Sequence, residues 1–547
     1  MKKNYCLLFF TLLFIQIMNS QNTVGTILNT ENSLEGYTLF SPQTSLVPSY
    51  TYLMNNCGEV VNTWESTLPV YGSEYLMPDG TLFRSVVDNR STLTLPGLSG
   101  RIEHLDWDGN LIWGVTFSDT DYSFHHDFEV LPNGNVLLTV AYRRTGADAI
   151  QAGRDPASLT EGELYEERII ELEPVGTDDY NIVWEWRSWD HLVQDFDETK
   201  DNYGVIADNP HRADMNFGST FFGVDWWHTN SLDYSPERDQ IILSNLGFNE
   251  FIIIDHSTTT AEAAGSTGGN SGMGGDIIYR WGNPQSYDRG DASDQVFNGQ
   301  HNVQFIGPGL PNEGKILAFS NNDTPTSSSV ILLTPPYDPN IQNYTLPSGE
   351  AYGPAEVDFE YVDPIDPDNF HSNFISGAQQ LENGNILICS GAEGRLFEVD
   401  TDSNTWWDYR SPIASNQILA DGENPDDFGT LVFRALKYPT DFPGFDGRDL
   451  TPMAVIEADP AEDGCELLEV IEYKLDQIAL YPNPTRDILH LEIPFQDFTI
   501  EIYNTQGQRI RQLTNENTFD LSDLKSGMYF MKINTASREI TRKFIKE

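Results

Sequence analysis

The sequence predicts an all-β protein, a six-bladed β-propeller followed by a small C-terminal β-sandwich. Three observations predict it. Aromatic and β-branched runs alternate with turn residues throughout, in a chain with 30 Phe, 24 Tyr, 11 Trp, 43 Gly and 30 Pro. An Asn-Gly or Asp-Gly pair, the strongest short hairpin signal, recurs between an opening strand and a strongly apolar one. Histidine opens several of these strands, and His228, His301 and His371 stand 73 and 70 residues apart. At 547 residues the chain is too long for one ordinary domain and long enough to bury a large core.

From the N-terminus, Lys2 and Lys3 precede a mostly apolar run from Cys6 to Met18, and Asn19-Ser20-Gln21 gives a cleavage region. Residues 1–20 therefore read as a signal peptide. No later stretch is apolar enough to cross a bilayer, so an exported chain without a transmembrane segment is expected. Residues 21–450 carry the repeats. Tyr75–Arg84 turns at Asp79-Gly80, His125–Leu138 at Asn133-Gly134, His301–Phe319 at Asn312–Gly314 and His371–Ile388 at Asn383-Gly384, while His228–Leu243 turns through Ser235–Asp239. A second hairpin follows most of these: Ile102–Asp106 into Leu111–Trp113, Ile169–Glu173 into Ile182–Trp186, Ile252–Asp255 into Ile277–Trp281, and Leu396–Asp400 into Thr405–Trp407. Two hairpins make four antiparallel strands, which is a propeller blade. The longer gap between His126 and His228 fits an insertion around Asp190–Asp214, and Phe433–Tyr438 is expected beside Tyr37–Phe40 to close the ring. Residues 451–474 read as an acidic linker, and 475–547 as a β-sandwich with strands at 488–493, 498–503, 528–533 and 540–544.

With 31 Lys and Arg against 83 Asp and Glu, the formal charge is −52, which excludes nucleic acid as a partner. Asp106-Trp107-Asp108-Gly109 is only a fragment of a calcium loop and makes no site. Of Cys57, Cys389 and Cys465, left after signal removal, at most one pair can bridge, and buried free thiols are expected.

The first strand of each blade lines a propeller's axis, so His125 or His126, His228, His301 and His371 are expected to converge at one end of the channel. Three chemistries suit such a ring: local hydrogen bonding, zinc held by neutral imidazoles, or nucleophilic and acid–base catalysis. Trp226-Trp227 and Trp406-Trp407 suit stacking on an aromatic ligand, or packing between blades.

Asp225-Trp-Trp-His-Thr-Asn-Ser231 followed by Ile241-Ile-Leu-Ser244 resembles the core motif of the bacterial arylsulfate sulfotransferase family. His125-His-Asp127, Gly299-Gln-His301 and Tyr279-Arg-Trp-Gly-Asn-Pro284 are similar to its blade motifs. The resemblance runs from about residue 35 to 450. It implies a six-bladed propeller that moves a sulfuryl group from a phenolic sulfate donor to a phenol acceptor through a sulfated histidine. No cofactor and no nucleotide donor (PAPS) is implied. Carried over by motif, His228 and His301 stabilise charge or move protons, and His371 is the nucleophile by its order in the repeat. His126 and Asn322 are expected to contact substrate. The family carries an Arg shortly after the motif of His301, where this chain has Phe319-Ser-Asn-Asn-Asp323. A guanidinium is therefore expected from another blade: Arg395 first, otherwise Arg143 or Arg84. No metal ligand is assigned. The alternative is a noncatalytic surface propeller that binds carbohydrate or protein. In the tail, Tyr481-Pro-Asn-Pro484, Tyr503-Asn-Thr-Gln-Gly507 and Leu524-Lys-Ser-Gly-Met-Tyr-Phe530 resemble the type IX secretion sorting domain. That implies the secretion machinery as a partner, and a secreted or outer-membrane-surface location.

Overall fold

A computed structural model describes residues 23–88, 90–218, 220–460, 479–492, 498–505, 507–535 and 539–547. The expected signal peptide and most of the expected linker lie outside these residues. The chain divides into two compact units, Met1–Leu468 and Glu469–Glu547.

Among the described residues of the first unit, six antiparallel sheets of four or five strands succeed one another. Their first strands are Val70–Leu76, Tyr122–Val130, Thr229–Ser235, Gln300–Phe305, Gly377–Gln380 and Val432–Pro439, and these touch in cyclic order, the last against the first. The architecture is a β-propeller. The hairpin turns form where the sequence places Asp79-Gly80, Asn133-Gly134 and Asn383-Gly384, each glycine at positive φ as a tight turn requires. The sixth sheet takes its first strand from the C-terminal side and the other three from Gly36–Pro42, Ser49–Asn55 and Val60–Ser66. Tyr37 pairs with Tyr438 and Phe40 with Ala435, so the expected closure forms. Gly25–Asn29 adds a fifth strand to the outer edge of the fifth sheet. The insertion after the second sheet contributes a short parallel pair, Leu192–Val193 with Ala213–Asp214, and buries Ile206 and Met215.

Neighbouring first strands are stitched by one repeated contact. The side chains of Asp127, Ser231 and Asn302 accept from the backbone N–H of Leu232, Val303 and Ala378 on the next strand, each at 3.0 Å. This defines equivalent positions. His126 and His301 share one, Asn230 and Ser376 occupy it in the third and fifth sheets, and His228 and His371 lie upstream of it. The four histidines are thus not in phase as the repeat suggested.

Arg434, on the closing strand, sends its guanidinium into the axis, to Asp127 at 2.8 Å and the Tyr75 hydroxyl at 3.0 Å. Ser73 also donates to Asp127, so one buried carboxylate joins four of the six first strands.

Cys389 is a buried free thiol, as expected, whereas Cys57 is disulfide-bonded to a partner outside the described residues. The tryptophan pairs pack inside the fold: Trp226, Trp227 and Trp407 are buried in apolar clusters. Among the described residues no helix is long and apolar enough to cross a membrane.

The second unit holds a three-stranded and a four-stranded sheet around Leu489, Leu491, Ile500, Ile502, Phe519, Met531 and Phe544. The sequence reading missed three of its strands. Of these, Arg509–Thr514 is polar and exposed, without the alternation that marks a half-buried strand.

Candidate active site

A cavity of about 650 Å³ lies where the six first strands begin. Every sheet contributes to its wall: Tyr71 and Gly72 from the first, His126, then His228, then His301, the segment Asn373–Ile375 leading into the fifth, and Phe433 from the sixth. Asn249, Asn298, Asn321 and Asn322 complete the polar lining, with Phe221 and Phe374 among the apolar groups.

Each imidazole on this wall is anchored through Nδ1. His228 Nδ1 lies 2.6 Å from Oδ2 of Asp225, an acceptor, so this nitrogen carries a proton and the neutral ring presents a bare Nε2. His301 Nδ1 lies 2.6 Å from Oδ1 of Asn321. The Asn321 amide donates to the carbonyls of Ser372 and Ile375, which fixes Oδ1 as the acceptor and again leaves Nε2 bare. His126 Nδ1 lies 2.8 Å from Nδ1 of His125. The rings of His126 and His228 meet edge to face, with centroids 4.8 Å apart.

The backbone is bent to bring these rings together. His126 and His228 have φ of +53° and +48°, a left-handed conformation that costs a non-glycine residue about 1–2 kcal/mol. Strain of this kind persists where the surrounding fold over-determines it, and it concentrates at functional sites.

Burial holds two of the wall's imidazoles uncharged. Burial pushes His301 down to about 3, the Asn321 hydrogen bond opposing and His228 and Arg434 adding to the shift. Burial, with His228, His125 and His301 beside it, holds His126 well below the ordinary imidazole range. Both rings are uncharged at neutral pH. No Lys or Arg lines the cavity among the described residues, nor is any group of three His, Cys, Asp or Glu arranged to hold a metal ion.

The structure brings His126, His228, His301 and Asn322 to one cavity. His371 is half-buried, does not line the cavity, and donates from Nε2 to Asn322 Oδ1 at 3.3 Å, while Asn322 donates to the Asn298 carbonyl at 3.0 Å. The expected guanidinium is not supplied, because each candidate is held elsewhere by a carboxylate. Arg395 is ion-paired with Asp408 at 2.7 Å and lies over Phe397. Arg84 is buried against Glu103 and the carbonyls of Trp64 and Glu65. Arg143 contacts Thr92 and Glu163. Sequence reasoning missed the anchoring roles of Asp225, Asn321 and His125, as well as Glu167 and Arg434. Asp225 and His125, each within a quoted motif, carried a local signal.

A family model for arylsulfotransferase (ASST) matches residues 29–418, and one for a secretion system C-terminal sorting domain matches residues 479–547. No curated protein matches the chain. Among solved structures it is similar to a protein of unknown function from Bacteroides caccae, with 10% identity over 74% of this chain and 98% of that one, TM-score 0.38. A second is the Cps50 (Swd1) β-propeller domain of Myceliophteria thermophila, with 9% identity over 73% and 88%, TM-score 0.33. A third is a catalytically inactive virginiamycin B lyase from Staphylococcus aureus, with 11% identity over 71% and 88%, TM-score 0.31.

Proposed function

The chain belongs to the arylsulfotransferase (ASST) family, and from that premise we propose that it transfers a sulfuryl group from a phenolic sulfate ester to a phenol, without a nucleotide donor, through a sulfohistidine. The observation that carries this reading is a cavity walled by imidazoles anchored at Nδ1, two of which, His126 and His301, burial keeps neutral. An anionic sulfate ester repels an anionic nucleophile, and a neutral imidazole avoids that penalty. In the first half-reaction an imidazole nitrogen bonds to sulfur, the sulfur–oxygen ester bond breaks, and the departing phenolate takes a proton. In the second, the acceptor phenol loses its proton and its oxygen takes the sulfuryl group. The asparagine amides around the cavity serve the negative charge that develops on the sulfuryl oxygens. The type IX sorting domain at 479–547 implies export, which places the proposed reaction outside the cytoplasm, where a nucleotide donor is not supplied.

Order in the repeat assigns the nucleophile to His371. One observation favours His228 instead: it lines the cavity, its Nε2 has no hydrogen-bond partner among the described residues, and Asp225 stands ready to stabilise the cation formed on attack. The experiment is incubation with 4-nitrophenyl sulfate and phenol, with acid-free quenching and peptide mapping of the sulfated histidine. His371→Ala is expected to abolish both label and nitrophenol release. Label retained in that variant and lost in His228→Ala moves the nucleophile to His228. A wild-type chain that turns over no aryl sulfate would leave a binding propeller.

A further inference from the structure

The strand Tyr122–Val130 carries two consecutive histidines, of which only His126 reaches the cavity wall. In a regular strand they would point to opposite faces. Here the register slips opposite Leu138–Val140 and His126 adopts its left-handed φ, so the two rings turn toward each other, Nδ1 to Nδ1 at 2.8 Å. So short a contact between ring nitrogens requires one proton between them. On its far side His125 Nε2 lies 3.1 Å from Oε1 of Glu167, and both side chains are almost fully buried. The second oxygen of Glu167 accepts from Thr229 N–H at 3.3 Å. Among the described residues His125 is the only cationic partner of this carboxylate. His126 Nε2 has no hydrogen-bond partner among them.

We propose that Glu167, His125 and His126 form a proton relay for the phenolic oxygens in the cavity, with His126 as the group that gives and takes the proton and His125 as its store. The relay rests on the sulfuryl-transfer reading above. The charge distribution suits it. Burial disfavours a charged His125, but Glu167, by charge and by hydrogen bond, and Asp225, by charge, more than offset this and raise its pKa. His126, facing His228, His125 and His301, is pushed the other way. The pair therefore keeps its positive charge on His125, away from the substrate.

The bookkeeping closes over the two half-reactions. At the start His125 is an imidazolium, its Nδ1–H donated to His126 Nδ1 and its Nε2–H to Glu167. When the sulfur–oxygen bond breaks, the phenolate takes the proton from His126 Nε2, and His126 takes the Nδ1 proton from His125. Both rings are then neutral. The acceptor phenol returns a proton to His126 Nε2 as its oxygen attacks sulfur, and the Nδ1 proton passes back to His125. No external acid or base is consumed. His126 is the catalytic residue of this relay, and His125 and Glu167 are positioning residues.

The test is the dependence on leaving group. Wild type and Glu167→Gln are compared on 4-nitrophenyl sulfate, whose phenolate departs unprotonated, and on phenyl sulfate, whose phenolate needs a proton. The variant is expected to lose about 100-fold in kcat/KM on phenyl sulfate and only about threefold on the nitrophenyl ester. Equal losses on both would mean a merely structural carboxylate and would overturn the relay while leaving sulfuryl transfer intact. A wild type inactive on every aryl sulfate would remove both. Should the variant not fold, ¹⁵N-histidine NMR of the wild type decides: His125 doubly protonated beside a neutral His126 supports the relay, and a neutral His125 at pH 7 overturns it.

Discussion

Gly97 shows how tightly the cavity imidazoles are held. It has φ of +69°, its carbonyl accepts from His126 N–H at 2.7 Å, and a Cβ built there would stand 2.4 Å from His126 Nε2. The ring cannot retreat, because His125 holds its other edge. Gly97→Ala therefore carries two penalties. The left-handed backbone costs about 1–2 kcal/mol in stability. The displaced imidazole costs on the order of 100-fold in kcat/KM, as a misplacement of about 1 Å does elsewhere. Gly134 separates the two: it has φ of +86° and nothing within 4 Å of its added Cβ. Gly134→Ala should lower the thermal midpoint as much and leave turnover unchanged. Equal activity in the two variants would show that the His126 position does not matter.

At the scale of elements, the hairpins were legible because their signals are local: an Asn-Gly or Asp-Gly pair sets the turn and the next strand's apolar run sets its burial. Closure was legible too, since the lone strand near Phe433 had no partner nearby in sequence. The site was legible as a set of histidines and Asn322. What orients two of the rings comes from another strand, 42 residues away for Glu167 and His125 and 20 for Asn321 and His301, whereas Asp225 and His125 hold His228 and His126 from three residues and one residue away. Bulges shift the count of the first strands, so sequence repetition does not give their phase. The arginines failed as candidates for a related reason: pairing across adjacent strands gave each a carboxylate before any could reach the mouth. His256 shows the same logic in stability. It joins Glu171 of the second sheet, at 3.1 Å, to Asp239 of the third, at 2.7 Å. Burial opposes its charge, but the two carboxylates prevail and raise it to about 9. A raised folded-state pKa contributes stability that is complete below about pH 6.5 and lost as pH rises through 9. Both carboxylates are held low, so the acid side fails only as pH falls through their folded-state pKa values. Urea unfolding should lose on the order of 1–3 kcal/mol more between pH 6.5 and 9.5 in wild type than in His256→Asn. Identical losses would mean that the pin contributes nothing.

Over the whole molecule, 83 acidic against 31 basic side chains set a field that opposes the proposed donor. A sulfate ester carries a negative charge and meets no Lys or Arg on the described cavity wall. Enzymes that take anions commonly focus them with cationic rims, and salt then slows capture. Here the sign reverses. The screening length shrinks from about 30 Å at 0.01 M salt to about 10 Å at 0.1 M, so added salt removes repulsion that the donor otherwise climbs. kcat/KM for 4-nitrophenyl sulfate should rise several-fold, roughly two- to fivefold, between 10 and 150 mM NaCl. The same parameter for an uncharged phenol acceptor should stay flat, because a neutral molecule feels no net force. This contrast separates field from stability: salt that merely firmed up the fold would raise both parameters together. A donor term that falls with salt would reveal a cationic focus at the cavity, and the imidazole wall would then have to carry charge that its burial opposes.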